Sequence, residues 1–298
     1  MGLRRVRIHA FSRVNFKNTV LSKRKLTWFV DNGYVTGWDD ARMPTVRGVV
    51  RRGVNVSSLK NYMYSQGASR RVVLMDWMVF WSKNKQEIDR TASRYMAIDQ
   101  ERNTKLTITN APKEADFAYV EAPCLPKEPE GAKRAVRIAS EVILESMDVE
   151  GIEVGESIVL MRWGVVKVTK VDGSNLEGEY QSDGDFKSCK RKLSWLANVA
   201  DNTKVILTEF DNLISKDKLE EEDNFEDFIN PDTKATTDVI GDAGLKNLQE
   251  HDVIQLERRG YFRVDRPYMG PNKPIILYMI PDGKAKAMSG QSGRLAHR

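Results

Sequence analysis

The sequence predicts an α+β protein whose helices come first and whose strands follow, and three observations carry that prediction. Up to about residue 95 the apolar residues recur at the spacing of one helix face. Near Met96 the period changes to alternation, and Val, Ile and Tyr become concentrated as in half-buried strands. Each early apolar stretch also carries its own start and stop residues.

Taken in order, Ser22 can cap a helix whose apolar positions are Leu26, Phe29 and Val30, and Gly33 stops it. Pro44 suits the first turn of a second helix, with Val46, Val49 and Val50 inside and Gly53 after it. Leu59, Tyr62 and Met63 mark a third, ending near Gly67, and Trp77, Trp81 and Ile88 line one face of a fourth. Four short helices with brief connections predict a compact helical subdomain. Strands are expected over Leu106–Asn110, Ala135–Leu144, Ser157–Val171, Leu176–Gln181, Lys204–Phe210, Val253–Val264 and Ile275–Ile280. Asp172-Gly173 marks a hairpin turn. Pro123–Gly131, with three prolines, and the acidic run Asp217–Asp227 read as exposed loops or linkers, and 284–298 as a disordered tail. No internal repeat is found.

At 298 residues the chain exceeds what one core usually organises, so two to three units are expected. No apolar stretch approaches the roughly 20 residues of a membrane span and no signal region follows the first arginines, which predicts a soluble, intracellular protein without a membrane partner. Cys124 and Cys189 give no disulfide framework, and His9, His251 and His297 are far apart, so no metal site is expected. The formal charge is only +5, but residues 1–60 hold thirteen Lys or Arg against Asp31, Asp39 and Asp40, a local balance of +10. Such asymmetry suits a phosphate-facing side, and equally a solvated charged surface.

The most informative run is Phe11 to Asp40. Val20-Leu21-Ser22-Lys23-Arg24 resembles the KMSKS loop as it occurs in glutamyl- and glutaminyl-tRNA synthetases, where an apolar residue replaces the first lysine. The resemblance continues through Ser12-Arg13, Asn18-Thr19, Lys25-Leu26, Gly37-Trp38-Asp39-Asp40, Arg42, Pro44-Thr45 and Arg51-Arg52-Gly53. It implies that Lys23 is catalytic, stabilising the charge that builds on the leaving pyrophosphate of ATP, and that Leu21, Ser22, Lys23 and Arg24 contact the nucleotide. Attack of a carboxylate on the α-phosphorus needs such a cation where charge develops. Ser22 remains readable as a cap alone and Lys23 as a surface lysine. Class I synthetases also need a HIGH-type motif on a nucleotide-binding fold, and none of the three histidines sits in one. The opening Gly2–Ile8 resembles the region just ahead of the loop. The chain is therefore expected to be a carboxy-terminal portion that forms no glutamyl-adenylate alone.

Ser69-Arg70, Trp77, Trp81, Asn84-Lys85, Ile88-Asp89 and Arg94-Tyr95 resemble the eukaryotic glutamyl branch. Glutaminyl enzymes share an arginine-alanine-methionine run where this chain has Arg94-Tyr95-Met96-Ala97. Trp77 and Trp81 read equally as core. Met161–Val165, Leu193–Leu196 and Asp252–Phe262 resemble the two-barrel anticodon-binding region of eukaryotic glutamyl and of glutaminyl enzymes. Single-stranded bases are read by aromatic and guanidinium planes. Arg162 with Trp163, Arg191 and Lys192, and Arg258, Arg259, Arg263 and Arg266 are accordingly the candidate tRNA contacts there, although the aromatic residues also read as barrel core. Arg47, Arg51 and Arg52 are candidates for phosphates of the inner bend of tRNA.

The resemblance implies five stretches: 1–20 ending a catalytic domain, 21–95 carrying the loop and helical subdomain, 96–200 a first β-barrel, 201–283 a second, and 284–298 the tail. It implies a cytoplasmic enzyme that joins L-glutamate to tRNA(Glu) with ATP and Mg2+, compatible with a multi-synthetase assembly. Glutaminyl-tRNA synthetase, and a free-standing non-catalytic tRNA-binding protein derived from such an enzyme, stay open.

Overall fold

The computed structural model describes residues 2, 4–11, 13–173 and 175–284; the expected tail lies outside them from residue 285. The chain divides into two units, one of residues up to Asp89 with Phe210–Ala235 and the stretch from Ile280, the other of Arg90–Glu209 with Thr236–Met279.

In the first unit, β1 (Val14–Phe16) leads to the helices α1 (Lys23–Asp31), α2 (Val46–Arg51) and α3 (Val56–Ser65), then β2 (Val73–Met75) and α4 (Trp77–Ile88). The helices start where short polar side chains can hold free amides: Thr45 accepts from Gly48 N, Asn55 from Ser57 N and Ser58 N, and Asp76 from Met78 N. Pro44 thus precedes the helix it was expected to open, because Thr45 takes the cap. Ser22 occupies the cap position of α1 through its carbonyl, 2.9 Å from Leu26 N, while its hydroxyl makes no cap bond. β1 and β2 pair in parallel. Phe16 stacks on Trp77 at 3.9 Å between ring centroids, and Tyr62, Phe80 and Trp81 extend the aromatic layer.

The acidic run read as an exposed linker is mostly exposed, but Leu219 and Phe225 within it and apolar residues on either side of it are packed. Leu213, Ile214, Leu219, Phe225 and Ile229 join Val20, Leu26, Phe29, Val35 and Met43 in one apolar cluster. The reason is the interleaving of apolar residues among the acids, which lets the carboxylates face water while the segment covers α1.

The second unit begins with β3 (Ser93–Tyr95), β4 (Ala97–Asp99), β5 (Asn103–Ile108), β6 (Tyr119–Pro123), β7 (Lys133–Arg137) and β8 (Glu141–Glu145). After the one-turn helix α5 (Ser146–Val149) come β9 (Ser157–Leu160), β10 (Gly164–Asp172), β11 (Asn175–Gln181), β12 (Arg191–Leu193) and β13 (Trp195–Ala197). The strands end with β14 (Thr203–Phe210), β15 (Lys234–Gly241), β16 (Val253–Leu256), β17 (Gly260–Arg266) and β18 (Ile275–Ile280). β6 and β7 form a separate hairpin whose tip is the proline-rich stretch.

The other strands make two seven-stranded, nearly closed sheets, ordered β12-β9-β10-β11-β5-β8-β13 and β3-β16-β17-β18-β14-β15-β4. Each is closed by the chain itself. β12 and β13, one residue apart, lie at opposite ends of the first sheet, and β3 and β4 do the same in the second. The sheets correspond strand for strand, including parallel pairs at β12–β9 and β3–β16 and at β11–β5 and β18–β14. The first barrel is drawn from one run, 103–197, including the pair that closes it, whereas the pair that closes the second, β3 and β4, lies ahead of the first barrel in the sequence, a one-way exchange that no contiguous division describes. β4 shows why the exchange is stable. Met96 and Ile98 enter the apolar cluster of Trp195, Leu144 and Leu160, while Ala97 between them enters that of Phe262, Leu256 and Leu277. Alternating side chains of one strand thus serve two cores.

The structure also holds the internal repeat that the sequence reading missed. Leu160-Met161-Arg162-Trp163-Gly164 and Leu256-Glu257-Arg258-Arg259-Gly260 turn matching hairpins, with Arg162 and Arg258 left-handed at φ 74° and 65°. In both, the residue before the glycine donates to the leucine carbonyl at 3.0 Å. These turns split two expected long strands, Ser157–Val171 and Val253–Val264; Ala135–Leu144 is split between two sheets. At Asp172-Gly173 the expected turn is present, with Asp172 paired to Asn175 and Gly173 at φ 58°.

Candidate nucleic-acid interface

The loop preceding α1 is braced on both sides. Asn18, left-handed at φ 51°, donates its amide N–H to the Asp217 carbonyl (2.9 Å) and its side-chain amide to the Ser215 carbonyl (3.0 Å). From the other side, Lys17 N donates to the Met75 carbonyl (2.9 Å) and the Trp77 indole to the Thr19 hydroxyl (2.8 Å). Val20 is buried in the apolar cluster of α1, and the chain then emerges: Leu21, Lys23 and Arg24 are exposed, with Ser22 half-buried. The first turn of α1 contains Lys23, Arg24 and Lys25 and no acidic residue. A helix start already carries a partial positive charge, so three cations there are unfavourable for the helix and favourable for an anion.

Gly37–Arg42 follows α1. Burial alone would raise the Asp40 carboxyl, but the Arg42 guanidinium and the backbone amides of Thr36 and Arg42 outweigh it and hold the pKa at about 2. Arg42 Nη2 lies 2.7 Å from Asp40, and Arg42 Nη1 donates to the Thr233 hydroxyl at 2.9 Å. This fixes the turn into α2, where Arg47 is exposed and Arg51 makes a 3.3 Å ion pair with Asp39. Such a half-exposed pair is weak and leaves the arginine able to meet a phosphate. Arg52 is turned inward, donating to the Phe210 carbonyl at 2.7 Å and lying 5.7 Å from the Trp81 ring.

In the barrels the structure corrects the expected arginines. Arg259 and Arg263 are buried. Arg259 is paired with Glu145 and donates to the Ala97 carbonyl, so neither it nor Arg263 is offered to a base. Arg162 reaches Glu257 (2.5 Å), Arg258 grips Asp148 with both terminal nitrogens, and Arg191 donates to Glu156 (2.9 Å) and to the Asp148 carbonyl (2.8 Å). The two repeated turns therefore clasp each other's barrels, which is what their arginines do. Arg266 donates to the Pro274 carbonyl at 3.1 and 3.3 Å and stays half-buried. Lys192 is exposed. Trp163 is half-buried, supported by Trp195 at 4.9 Å and stacked with Tyr180 at 5.9 Å. Sequence reasoning missed exposed Phe186, which lines a depression with Trp163 and Lys192. Its signal was an aromatic residue set among lysines. No helix among the described residues is long and apolar enough to cross a membrane.

Three family models match successive parts of the chain. Residues 1–90 match the catalytic domain of "tRNA synthetases class I (E and Q)", and 92–183 and 192–265 match two anticodon-binding domains of the same class. The chain belongs to the class I tRNA synthetases of the E and Q type. The exposed cationic start of α1 thus lies in the stretch matching this family's catalytic domain, and the two barrels are its anticodon-binding architecture. Among curated relatives, the cytoplasmic glutamate–tRNA ligase of Arabidopsis thaliana is 44% identical over 292 residues, covering 96% of this chain and 40% of the relative. A probable cytoplasmic glutamate–tRNA ligase of Schizosaccharomyces pombe is 43% identical over 290 residues, covering 95% of this chain and 40% of the relative. The bifunctional glutamate/proline–tRNA ligase of Drosophila melanogaster is 38% identical over 303 residues, covering 96% and 17%. The chain spans 40% of the length of its first matched relatives in this synthetase family.

Proposed function

We propose that the chain is the tRNA-binding, carboxy-terminal part of a cytoplasmic enzyme that joins glutamate to tRNA(Glu) with ATP. The observation that carries this is the pairing, in one chain, of an acid-free cationic helix start behind a braced loop with the two-barrel anticodon domain. The names of the relatives support glutamate over glutamine. In this reading Lys23 meets the β- and γ-phosphates as charge develops on them, Arg24 adds field, and Leu21 and Ser22 shape the nucleotide's edge. Residues 1–95 carry the end of the catalytic domain, with the nucleotide loop and helical subdomain in 21–95, and lead into the barrels. The described residues contain no group of three or more His, Cys, Asp or Glu side chains placed to hold a metal, and the magnesium of ATP is assigned no ligand on this chain. Arg47 and Arg51 contact phosphates, and Trp163, Lys192 and Arg266 face the anticodon arm.

Binding of tRNA(Glu) by this chain should weaken steeply with salt, because phosphate contacts release counterions. The chain alone should give no ATP–pyrophosphate exchange. Salt-insensitive binding, or exchange by the isolated chain, overturns the reading.

A further inference from the structure

The loop 184–191 falls between the two anticodon-domain matches, which end at 183 and resume at 192. It is nonetheless firmly built. A Cβ on Gly184 would come within 2.4 Å of the Val165 side chain, so the backbone lies flush against the barrel wall. At the far end Cys189 is buried with Val159 and Val165. Between these anchors Asp185 accepts from Lys187 N (2.9 Å) and its carbonyl accepts from the Ser188 hydroxyl (2.8 Å). The loop's acid is thereby spent on its own turn. What the loop presents outward is Phe186, 57% exposed, with Lys187 and Lys190 exposed beside it.

A phenyl ring held in water on an anchored loop gains nothing for folding. Phe186 shares an open depression of about 390 Å³ with Met161, Trp163, Gly164 and Lys192. Its floor is stiff, since Trp163 rests on Trp195 and Tyr180. Two aromatic side chains with Lys192 in the lining and Lys187 exposed next to Phe186 on the loop match an unstacked base and its flanking phosphates in polarity and charge.

We propose that Phe186 and Trp163 form a slot for one unpaired base of RNA, with Lys187 and Lys192 meeting the phosphates on either side. This rests on the tRNA-binding reading above and adds a stacking residue to it. The slot gives affinity to any unpaired base, because every base has a π-face, and leaves edge reading to other groups.

The test measures binding of tRNA(Glu) to the 298-residue chain over a series of salt concentrations. Phe186→Ala should weaken binding about fivefold or more while leaving the salt slope unchanged, since stacking releases no counterions. Phe186→Trp should restore affinity. Lys192→Ala should instead lower the salt slope by about one contact. Phe186 is exposed, so matched thermal unfolding of the variants excludes a folding defect as the cause. If wild-type chain binds tRNA(Glu) and Phe186→Ala binds within twofold of it, the slot is wrong and the tRNA-binding reading stands. If the wild-type chain binds no tRNA, both fall.

Discussion

At Arg259 the side chain is 2% exposed and lies against Glu145 at 4%, which also accepts the amide of Asp99 at 3.0 Å. Removing the guanidinium would strand a carboxylate in a low-dielectric interior, so Arg259→Ala should cost roughly 3–5 kcal/mol in urea unfolding. Unchanged stability with a fall in tRNA affinity would return Arg259 to the RNA surface. Asp40 makes a second prediction. Its folded pKa of about 2 lies below the ordinary 3.8, so its contribution is complete above about pH 5 and is lost as pH falls from there through about 2. The loss should be about 2 kcal/mol, and Asp40→Asn should remove that part of the acid transition; an unchanged acid limb refutes it. The exposed cations at the start of α1 were legible in the sequence because Leu26, Phe29 and Val30 fix which side of the helix faces inward. The fate of Arg258 and Arg259 was not, because their carboxylate partners lie 110 and 114 residues away.

The four helices could be read from apolar spacing and short polar caps, since both signals are local. The three-residue strands could not: Arg191–Leu193 and Ser93–Tyr95 are too short for alternation to register, and their pairing is decided by distant chain. The segment over α1 was hidden for another reason, its acids outweighing its apolar residues in any windowed view. There Phe225 sits edge-on to Trp28 at 5.3 Å and to Phe29 at 6.0 Å, with Lys25 5.4 Å from its ring. It is half-buried, so Phe225→Ala should cost roughly 1–2 kcal/mol, less than a fully buried phenylalanine. The amides of α1 should exchange faster with solvent, while those of β16 and β17 stay protected. Uniform acceleration would mean that the segment acts on global stability rather than on the helix behind the loop.

Over the whole molecule the exchange of β3–β4, made ahead of the first barrel and paired into the second, ties the two barrels into one cooperative body. A chain cut after residue 200 leaves the second barrel without the strands that close it. The piece 201–283 made alone should therefore show no dispersed amide spectrum, and residues 90–279 should melt in a single transition. A folded 201–283 fragment would show that the exchanged strands are dispensable. The same exchange sets a timetable for biosynthesis. β3 is made early but pairs with β16, so Tyr95 waits for Leu256 to leave the ribosome, roughly 10–30 s at ~5–20 residues per second. Meanwhile Tyr95 and Ala97, whose apolar partners lie between Val205 and Met279, stay open to passing chains. The nascent protein is thus most sticky, and most in need of a chaperone, across the interval between its ninety-third and its two hundred and fifty-sixth residues.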